Sequence, residues 1–282
     1  MADKKNQDVI QAWAESAQYW EKHHATIRAM FAPVTDALLS AARIAPGQRV
    51  LDIAGGAGEP ALTLAGLVGP HGHVDYCDPV KAMMDVAQRL AQHRGLKNIS
   101  FRCAAAESLP FGDDSFNAVT CRFGAMFFAD PSLGLKEMLR VLKPGGVMAL
   151  ALWRERKLNP FFAIVADVVD RYIEPAAEDP DAPGAFRYAA AGSLPRLLVA
   201  AGAAEVSESV LEFPIEAPIP LDQFWITRVE LSETLRSKVA RLTPLQLDSA
   251  RQEVTRAAAA YYESGALEIP GQAYIIRATR EL

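Results

Sequence analysis

The sequence predicts a doubly wound α/β fold: a mostly parallel sheet of seven strands, an N-terminal helical segment, and a helical cap inserted between the last two strands. From Arg49 onward, apolar segments of strand length alternate with segments of helical periodicity. This alternation is typical of parallel strands that are joined by helical crossovers and covered on both faces. With 282 residues, 50% of them hydrophobic, the chain is long enough to build one large core.

The predicted elements of the core follow each other at short separations. In chain order they are a strand at RVLDIA (49–54), a helix over 59–68, a strand at HVDYC (73–77), a helix over 81–93, strands at ISFRC (99–103) and NAVTCRF (117–123), a helix over 132–141 and a strand at VMALALW (147–153). The last two strands are predicted at 204–216 and 272–282. Ligands of such folds bind at the carboxyl ends of the parallel strands, so the site is expected there.

The chain is expected to divide into three parts. Residues 1–45 would form helices that cover the ligand pocket, residues 46–217 and 269–282 the ligand-binding core, and residues 218–268 a helical cap or lid. The apolar stripe of the first part repeats with helical period through Trp13, Ala17, Trp20, His24, Ile27 and Phe31. The acidic, proline-rich residues 174–184 predict a loop, and NPFF (159–162) predicts a helix start with proline in the first turn.

The balance of charged residues restricts which partners the protein is expected to bind. The chain has 29 basic and 34 acidic side chains, a net charge of −5, so nucleic acid is not expected as a partner.

The N-terminus MADKKNQDVI lacks the apolar core of a signal peptide, and the longest apolar runs fall short of the ~20 residues of a membrane span. We therefore expect a cytoplasmic protein with no membrane span. The cysteines match no metal-ligand or disulfide spacing, so no metal is expected.

A run of small residues, 54–58, lies between the first predicted strand and its helix. A glycine-rich turn in this position brings the backbone close to an anion or a nucleotide. Residues 56–61 match the dinucleotide pattern G-x-G-x-x-A, and Asp78 lies where an acid would bind a ribose. The turn alone is therefore compatible with a nicotinamide or flavin enzyme.

The carboxylate of Asp52, near the end of the first strand, favours a different ligand. It would repel a pyrophosphate in a partly buried site, because like charges repel strongly at low dielectric. S-adenosylmethionine carries an ammonium and a sulfonium but no phosphate, and its ribose has hydroxyls for Asp78. The charges thus favour S-adenosylmethionine over a dinucleotide.

Several segments occur in an order and at separations that are familiar from one family: VLDIAGGAG, DPVKAMM, AAAESLPF, SFNAVTCRFGAMFFADP and EMLRVLKPGG. Together they resemble the class I S-adenosylmethionine-dependent methyltransferases, in particular the branch of the ubiquinone/menaquinone-biosynthesis C-methyltransferases and many small-molecule methyltransferases. The resemblance is strong over residues 49–153 and weak over 186–208. It implies a Rossmann-like methyltransferase fold, S-adenosyl-L-methionine as donor, S-adenosyl-L-homocysteine as product, and a small-molecule acceptor.

The resemblance also implies which residues contact the donor. Around the methionine moiety and the sulfonium these are Asp52, Ala54, Gly55, Gly56, Gly58, Cys121 and Arg122. At the ribose and the adenine they are Asp78, Pro79, Met83, Ala105, Ala106 and Glu107. Tyr19, in the N-terminal helices, would close over the donor or pack in the core.

The chain departs from the family pattern at some of these positions. Ala54 stands where the family more often has glycine, and Asn117 replaces the usual aspartate of the fourth motif. Ala105 occupies a position where an Asp or Asn commonly accepts a hydrogen bond from the adenine amino group. Because alanine has no such acceptor, the adenine would be held by another group or by packing.

Sequence defines the acceptor side less well than the donor side. Methyl transfer from a sulfonium is an in-line displacement, in which the protein mainly aligns the acceptor and excludes water. His24, on the aromatic stripe, is the candidate base for an acceptor that must lose a proton; its ring would otherwise pack at a helix interface. Candidates for lining an apolar or aromatic acceptor cavity are Phe127, Trp153, Phe186, Arg187 and Trp225.

The sequence thus predicts methyl transfer from S-adenosylmethionine to a small apolar or aromatic acceptor. Two alternatives stay open. One is an NAD(P)-dependent oxidoreductase, and the other is a binding module that keeps the fold and senses S-adenosylmethionine without transferring its methyl group.

Overall fold

The computed structural model describes residues 2–173, 181–263 and 265–282. Its strands are β1 (Arg49–Ile53), β2 (His73–Asp78), β3 (Ile99–Cys103), β4 (Phe116–Arg122), β5 (Leu142–Trp153), β6 (Ala204–Ala217), β7 (Tyr262–Glu263) and β8 (Ala266–Thr279). The sheet order is β3-β2-β1-β4-β5-β8-β6, and the short β7 pairs with β8. The strands from β3 to β5 are parallel, and β8 runs antiparallel between β5 and β6.

Helices pack around this sheet. In the described part of the chain they are α1 (Ala2–Lys22), α2 (His24–Met30), α3 (Ala32–Ala41), α4 (Ala61–Val68), α5 (Lys81–His93), α6 (Pro131–Val141), α7 (Pro160–Asp170), α8 (Ser193–Ala201), α9 (Gln223–Glu230), α10 (Glu233–Val239) and α11 (Pro244–Ala258). Every residue from Val50 to Ile53 and from Val147 to Trp153 is buried, so these parallel strands are covered on both faces. None of the described helices is long and apolar enough to cross a membrane.

The predicted fold class is confirmed, with differences at the strand ends. Strand β5 begins at Leu142, five residues before the predicted start (147 − 142), because Leu142 pairs with Phe116 across a shift in register. Strand β8 begins at Ala266 and pairs with β6 along its length, which places its start inside the segment expected to be the cap. Helix α7 starts at Pro160, as NPFF predicts. Of the predicted loop 174–184, residues 174–180 lie outside the described residues.

The N-terminal segment is helical but interrupted. Helix α1 ends at Lys22, His23 lies between α1 and α2, and Phe31 separates α2 from α3. Glu230, at the end of α9, accepts hydrogen bonds from Lys22 and pairs with His23 at 2.5 Å. The residues expected to form the cap therefore contact the N-terminal helices directly.

Candidate functional site

The register of the central strands places polar groups beneath the glycine-rich turn. Asp52 of β1 lies level with Tyr76 of β2 and Thr120 of β4. The Tyr76 hydroxyl donates to the carbonyl oxygen of Gly56 at 2.6 Å. A Cβ on Gly55 would lie 2.4 Å from the Tyr76 ring and 2.9 Å from Asp52 Oδ2. The turn must therefore be small at Gly55 because the sheet packs directly against it.

Asp78, at the end of β2, links the glycine-rich turn to the start of α5 through hydrogen bonds. Its Oδ2 accepts from the Gly56 N–H at 2.9 Å, and its Oδ1 accepts from the Val80 N–H at 2.8 Å. Burial raises the pKa of Asp78 to about 6, against the opposing effect of these two hydrogen bonds. The carboxylate is thus held rigidly at the edge of a cavity, with lone pairs left for further donors.

Three residues expected at the donor lie behind the cavity wall. Asp52 is fully buried, accepts a 2.7 Å hydrogen bond from Thr120, and has no described partner for Oδ2. Burial raises the pKa of Asp52 to about 7, so its charge is incomplete at neutral pH. Cys121 lies under Gly124, and Gly58 faces Leu62 of α4. The strand and turn place these side chains and Cα atoms away from the open space, which corrects the expectation of direct contact.

A cavity of about 1390 Å³ opens at the carboxyl ends of β1, β2 and β4. Ordinary small-molecule pockets measure roughly 300–1,000 Å³, so this volume is sufficient for two molecules side by side. The predicted donor residues that line it are Ala54, Gly55, Gly56, Asp78, Pro79, Met83, Ala105, Ala106, Glu107 and Arg122. The predicted acceptor residues that line it are Phe127, Trp153, Phe186 and Arg187, and His24 lines it as well.

Several residues that the resemblance assigns to the adenine lie together along one part of the cavity. Met83 is buried in a small apolar cluster with Val80, and both line the cavity. The backbone N–H of Ala106 makes no hydrogen bond to any described residue. Glu107 binds the Asp130 N–H through Oε1 and also lines the cavity, so a carboxylate lies next to the position where Ala105 lacks an acceptor.

Arg122 is hydrogen-bonded to the residue that directly follows the glycine-rich turn. Its Nη2 donates to the carbonyl oxygen of Glu59, and its Nη1 donates to Thr35 at 2.7 Å. Burial lowers the pKa of Arg122, and the nearby acids Glu59 and Asp52 partly oppose this. The side chain lines the cavity without a described carboxylate within ion-pair distance. It is therefore available to an anionic group of a ligand.

An aromatic cluster lines the far part of the cavity; it consists of Phe31, Phe123, Trp153, Phe161, Phe162 and Phe186. Phe123 stacks on Trp153 with ring centroids 4.1 Å apart and an interplanar angle of 6°. The backbone of Phe123 is in the left-handed region, at φ 60°. A bulky side chain adopts this conformation only where the surroundings impose it, and such strain is concentrated at functional sites.

The N-terminal helices contribute His24 to the cavity wall. Its Nδ1 lies 2.9 Å from the carbonyl oxygen of Glu21. Because a carbonyl oxygen only accepts, Nδ1 carries the proton, and Nε2 of the neutral ring is left as an acceptor. Tyr19 does not line the cavity: the Arg236 guanidinium lies over its ring at 5.0 Å. The expectation that Tyr19 closes over the donor is therefore not supported by its position.

Trp225, the residue of the expected cap that was predicted at the acceptor site, also lies outside the cavity wall. Trp225 of α9 is buried, with 5% of its surface exposed, and does not line the cavity. Arg228, three residues further along α9 (228 − 225), lines it instead. Sequence reasoning missed Arg228 and most of the aromatic cluster. For Phe161 and Phe162 a signal is present, since NPFF follows the fifth strand, but the motif by itself predicts only a helix start.

Comparison with known proteins agrees with this geometry. Residues 34–167 match the model of the ubiE/COQ5 methyltransferase family. The matched segment runs from α3 to α7 and includes strands β1 to β5. The chain is 40% identical over 135 residues to the ubiquinone/menaquinone biosynthesis C-methyltransferase UbiE of Ectopseudomonas mendocina, covering 48% of this chain and 52% of UbiE. It is 44% identical over 101 residues to the methyltransferase YcgJ of Bacillus subtilis, covering 35% of this chain and 38% of YcgJ. The chain thus spans about half, or less, of the length of these relatives.

Solved structures show the same methyltransferase fold. The crystal structure of YcgJ covers 88% of this chain and 98% of its own, at 22% identity and a TM-score of 0.56. Phosphoethanolamine N-methyltransferase 2 of Haemonchus contortus, in complex with S-adenosyl-L-methionine, covers 88% of this chain and 52% of its own, at 17% identity and a TM-score of 0.51. The resemblance to class I methyltransferases and the fold that it implies are confirmed. In the part of the chain that the structure describes, no cluster of three or more His, Cys, Asp or Glu is suited to hold a metal ion.

Proposed function

We propose that this chain transfers a methyl group from S-adenosylmethionine to a small aromatic acceptor by in-line displacement. The observation that carries the proposal is one continuous cavity, which runs from the glycine-rich turn and Asp78 to the aromatic cluster. The match of residues 34–167 to the ubiE/COQ5 family supports the same reaction. A single space with a polar end and an aromatic end suits a donor and an acceptor that must meet.

The residues at the polar end suit the donor. A Cβ on Gly56 would meet nothing within 4 Å, so the backbone there faces open space that a ligand can occupy closely. Asp78 would bind the ribose, Ala106 would donate its free N–H to the adenine, and Arg122 would bind the carboxylate. When bound, S-adenosylmethionine supplies a methyl group activated by the sulfonium.

The aromatic end suits a planar acceptor. Phe123 and Trp153 present a stacked pair to the cavity, and Phe162 and Phe186 meet edge to face at 5.4 Å beside them. Rings pack favourably in such an environment. The name of UbiE refers to quinone biosynthesis, and a quinone-related ring fits this end of the cavity. We therefore infer an aromatic acceptor, with a quinol or a phenol as the first class to test.

A base and a lid that excludes water would assist the reaction. His24 Nε2 would accept the proton that a phenol or a carbon acid loses as it is methylated. The N-terminal helices and the cap, joined through Glu230, would exclude water from the cavity. A lid of this kind must open for exchange, so lid opening rather than chemistry can limit turnover.

Turnover with S-adenosylmethionine labelled in its methyl group tests the proposal. The chain would be incubated with a panel of phenols, quinols, amines and carboxylic acids, and the label would be followed into each product. We expect sustained transfer to at least one aromatic acceptor. Binding of the donor without transfer to any member of the panel would instead support the binding module, and binding of NAD(P)H alone would support the oxidoreductase.

A further inference from the structure

One buried cation in the cavity wall has no part in the proposed methyl transfer. Arg228, on α9, has only 5% of its surface exposed and lines the cavity. Its Nε donates to the carbonyl oxygen of Phe161 at 2.8 Å. The guanidinium lies over the rings of Phe161 and Phe162, at 4.3 Å and 4.9 Å from their centroids. The aromatic cluster thus fixes the position of this cation.

Arg228 has no acid to neutralise it within residues 2–173, 181–263 and 265–282. Its two Nη atoms make no hydrogen bond there, and no carboxylate lies within 4.0 Å. The acidic side chains of α7 and α9 pair with other cations. In α7, Asp167 pairs with Arg156 and Asp170 pairs with Lys238. In α9, Glu230 pairs with Lys22 and His23. Burial alone accounts for the lowering of the Arg228 pKa, to about 9, because no neighbouring charge supports the guanidinium.

An uncompensated buried charge costs several kcal/mol, so its position requires a reason. The contacts with Phe161 use one N–H donor and the face of the guanidinium. Arginine has five N–H donors, and the four on the Nη atoms form a planar fork that matches a carboxylate. A purely structural link between α9 and α7 would not need that fork, whereas a bound anion would.

Arg122 and Arg228 lie in different parts of the cavity. Arg122 is hydrogen-bonded to Glu59, directly after the glycine-rich turn, on the donor side. Arg228 lies beyond Phe31, whose ring is 6.3 Å from that of Phe161, on the side of the cap. A ligand that occupies the aromatic cluster would therefore present its remote edge to Arg228.

We propose that Arg228 binds a carboxylate of the acceptor, so that the substrates of this chain are aromatic acids. This inference rests on the proposed function and specifies its acceptor class. The aromatic ring lies in the aromatic cluster, and the Arg228 fork binds the carboxylate through two parallel hydrogen bonds. The guanidinium thereby sets which edge of the ring faces the donor, and the unpaired charge is neutralised only when the acceptor is bound.

Isothermal titration of matched acid and amide probes tests this inference. The chain, saturated with S-adenosylhomocysteine, would be titrated with 4-hydroxybenzoate and 4-hydroxybenzamide, and with 1-hydroxy-2-naphthoate and 1-hydroxy-2-naphthamide. We expect at least one acid to bind roughly ten- to a hundredfold more tightly than its amide, the range for hydrogen bonds to a charged group. Arg228→Gln should remove this preference, and Arg228→Lys should retain part of it.

Arg236→Gln is the matched control, since it removes the same charge from the neighbouring α10 at a side chain that does not line the cavity. It should leave the preference for acids unchanged. The inference is overturned if the unaltered chain shows no preference for the acid in either pair, or if folded Arg228→Gln keeps the preference. Binding of S-adenosylhomocysteine, measured in a separate titration of the unloaded chain and of each variant, separates this outcome from failure of the proposed function.

Discussion

Tyr76 supports the glycine-rich turn from below: its hydroxyl donates to the carbonyl oxygen of Gly56 at 2.6 Å, and its ring fills the space under Gly55. Tyr76 is fully buried in β2, so the ring cannot move aside. This contact explains in physical terms why the turn consists of small residues. The backbone is pressed between the sheet on one side and the cavity on the other.

Gly55→Ala should disrupt the turn. The added Cβ would lie 2.4 Å from the Tyr76 ring, so we expect a loss of roughly 1–3 kcal/mol in the free energy of unfolding, together with loss of donor binding. Chemical denaturation and titration with S-adenosylhomocysteine measure the two effects. Gly66→Ala, in the exposed face of α4 with nothing within 4 Å of the new Cβ, should instead stabilise the fold by up to about 1 kcal/mol. Equal behaviour of the two variants would contradict the packing account.

Asp78→Ala should weaken binding of S-adenosylhomocysteine by roughly 1.5–3 kcal/mol, because hydrogen bonds to a charged group are lost. The turn also loses the acceptor of its Gly56 N–H. Asp75→Ala is the matched control: Asp75 lies on the same strand, is equally buried, and pairs with Arg49 outside the cavity. It should cost stability but leave the affinity within a factor of about two. An unchanged affinity of Asp78→Ala would remove Asp78 from the ribose site.

Asp52 should make the stability of the fold depend on pH. Burial raises its pKa from 3.8 to about 7, so the unfolded chain loses this proton at lower pH than the folded chain. Between pH 4 and pH 7, Asp52 therefore lowers the free energy of unfolding increasingly, by up to about 4 kcal/mol. Above pH 7 this contribution is constant. Asp52→Asn has no charge to bury, so its stability relative to the unaltered chain should rise from pH 4 to pH 7 and then level off.

Urea denaturation across this pH range measures the Asp52 effect, and Thr120→Val provides a second variant. The Thr120 hydroxyl favours the ionised carboxylate through its 2.7 Å hydrogen bond, so removing it should shift the titration to higher pH. A stability difference for Asp52→Asn that does not vary between pH 4 and pH 8 would show that Asp52 ionises normally beneath the turn.

His24→Gln should lower kcat by roughly 10²–10⁴ if Nε2 is the base, with little change in the affinity for S-adenosylhomocysteine. His23→Gln is the control, because His23 is the adjacent residue, pairs with Glu230, and does not line the cavity. The pH profile of kcat should lose its acidic limb in His24→Gln alone. Full turnover of this variant at every pH would mean that the ring only packs between helices.

The core of the fold and the position of Asp78 beside the glycine-rich turn were predictable because their signals are local. β3 and α5 have the predicted bounds, and Asp78 follows the turn at the spacing that the pattern requires. Which side chains reach the cavity was less predictable: Tyr19 and Trp225 lie on helices next to it but do not line it. Arg228 and Phe161 were missed because they are 67 residues apart and meet only when α9 packs on α7. Such long-range contacts leave no spacing pattern in the chain.

The most direct test of the account is calorimetric titration of the chain with S-adenosylhomocysteine, NADH and NADPH in parallel. The cavity geometry at the Gly55–Gly56 turn, Asp78 and Ala106 predicts saturable, one-to-one binding of S-adenosylhomocysteine and no measurable binding of either dinucleotide. Saturable binding of a dinucleotide, with none of S-adenosylhomocysteine, would contradict it.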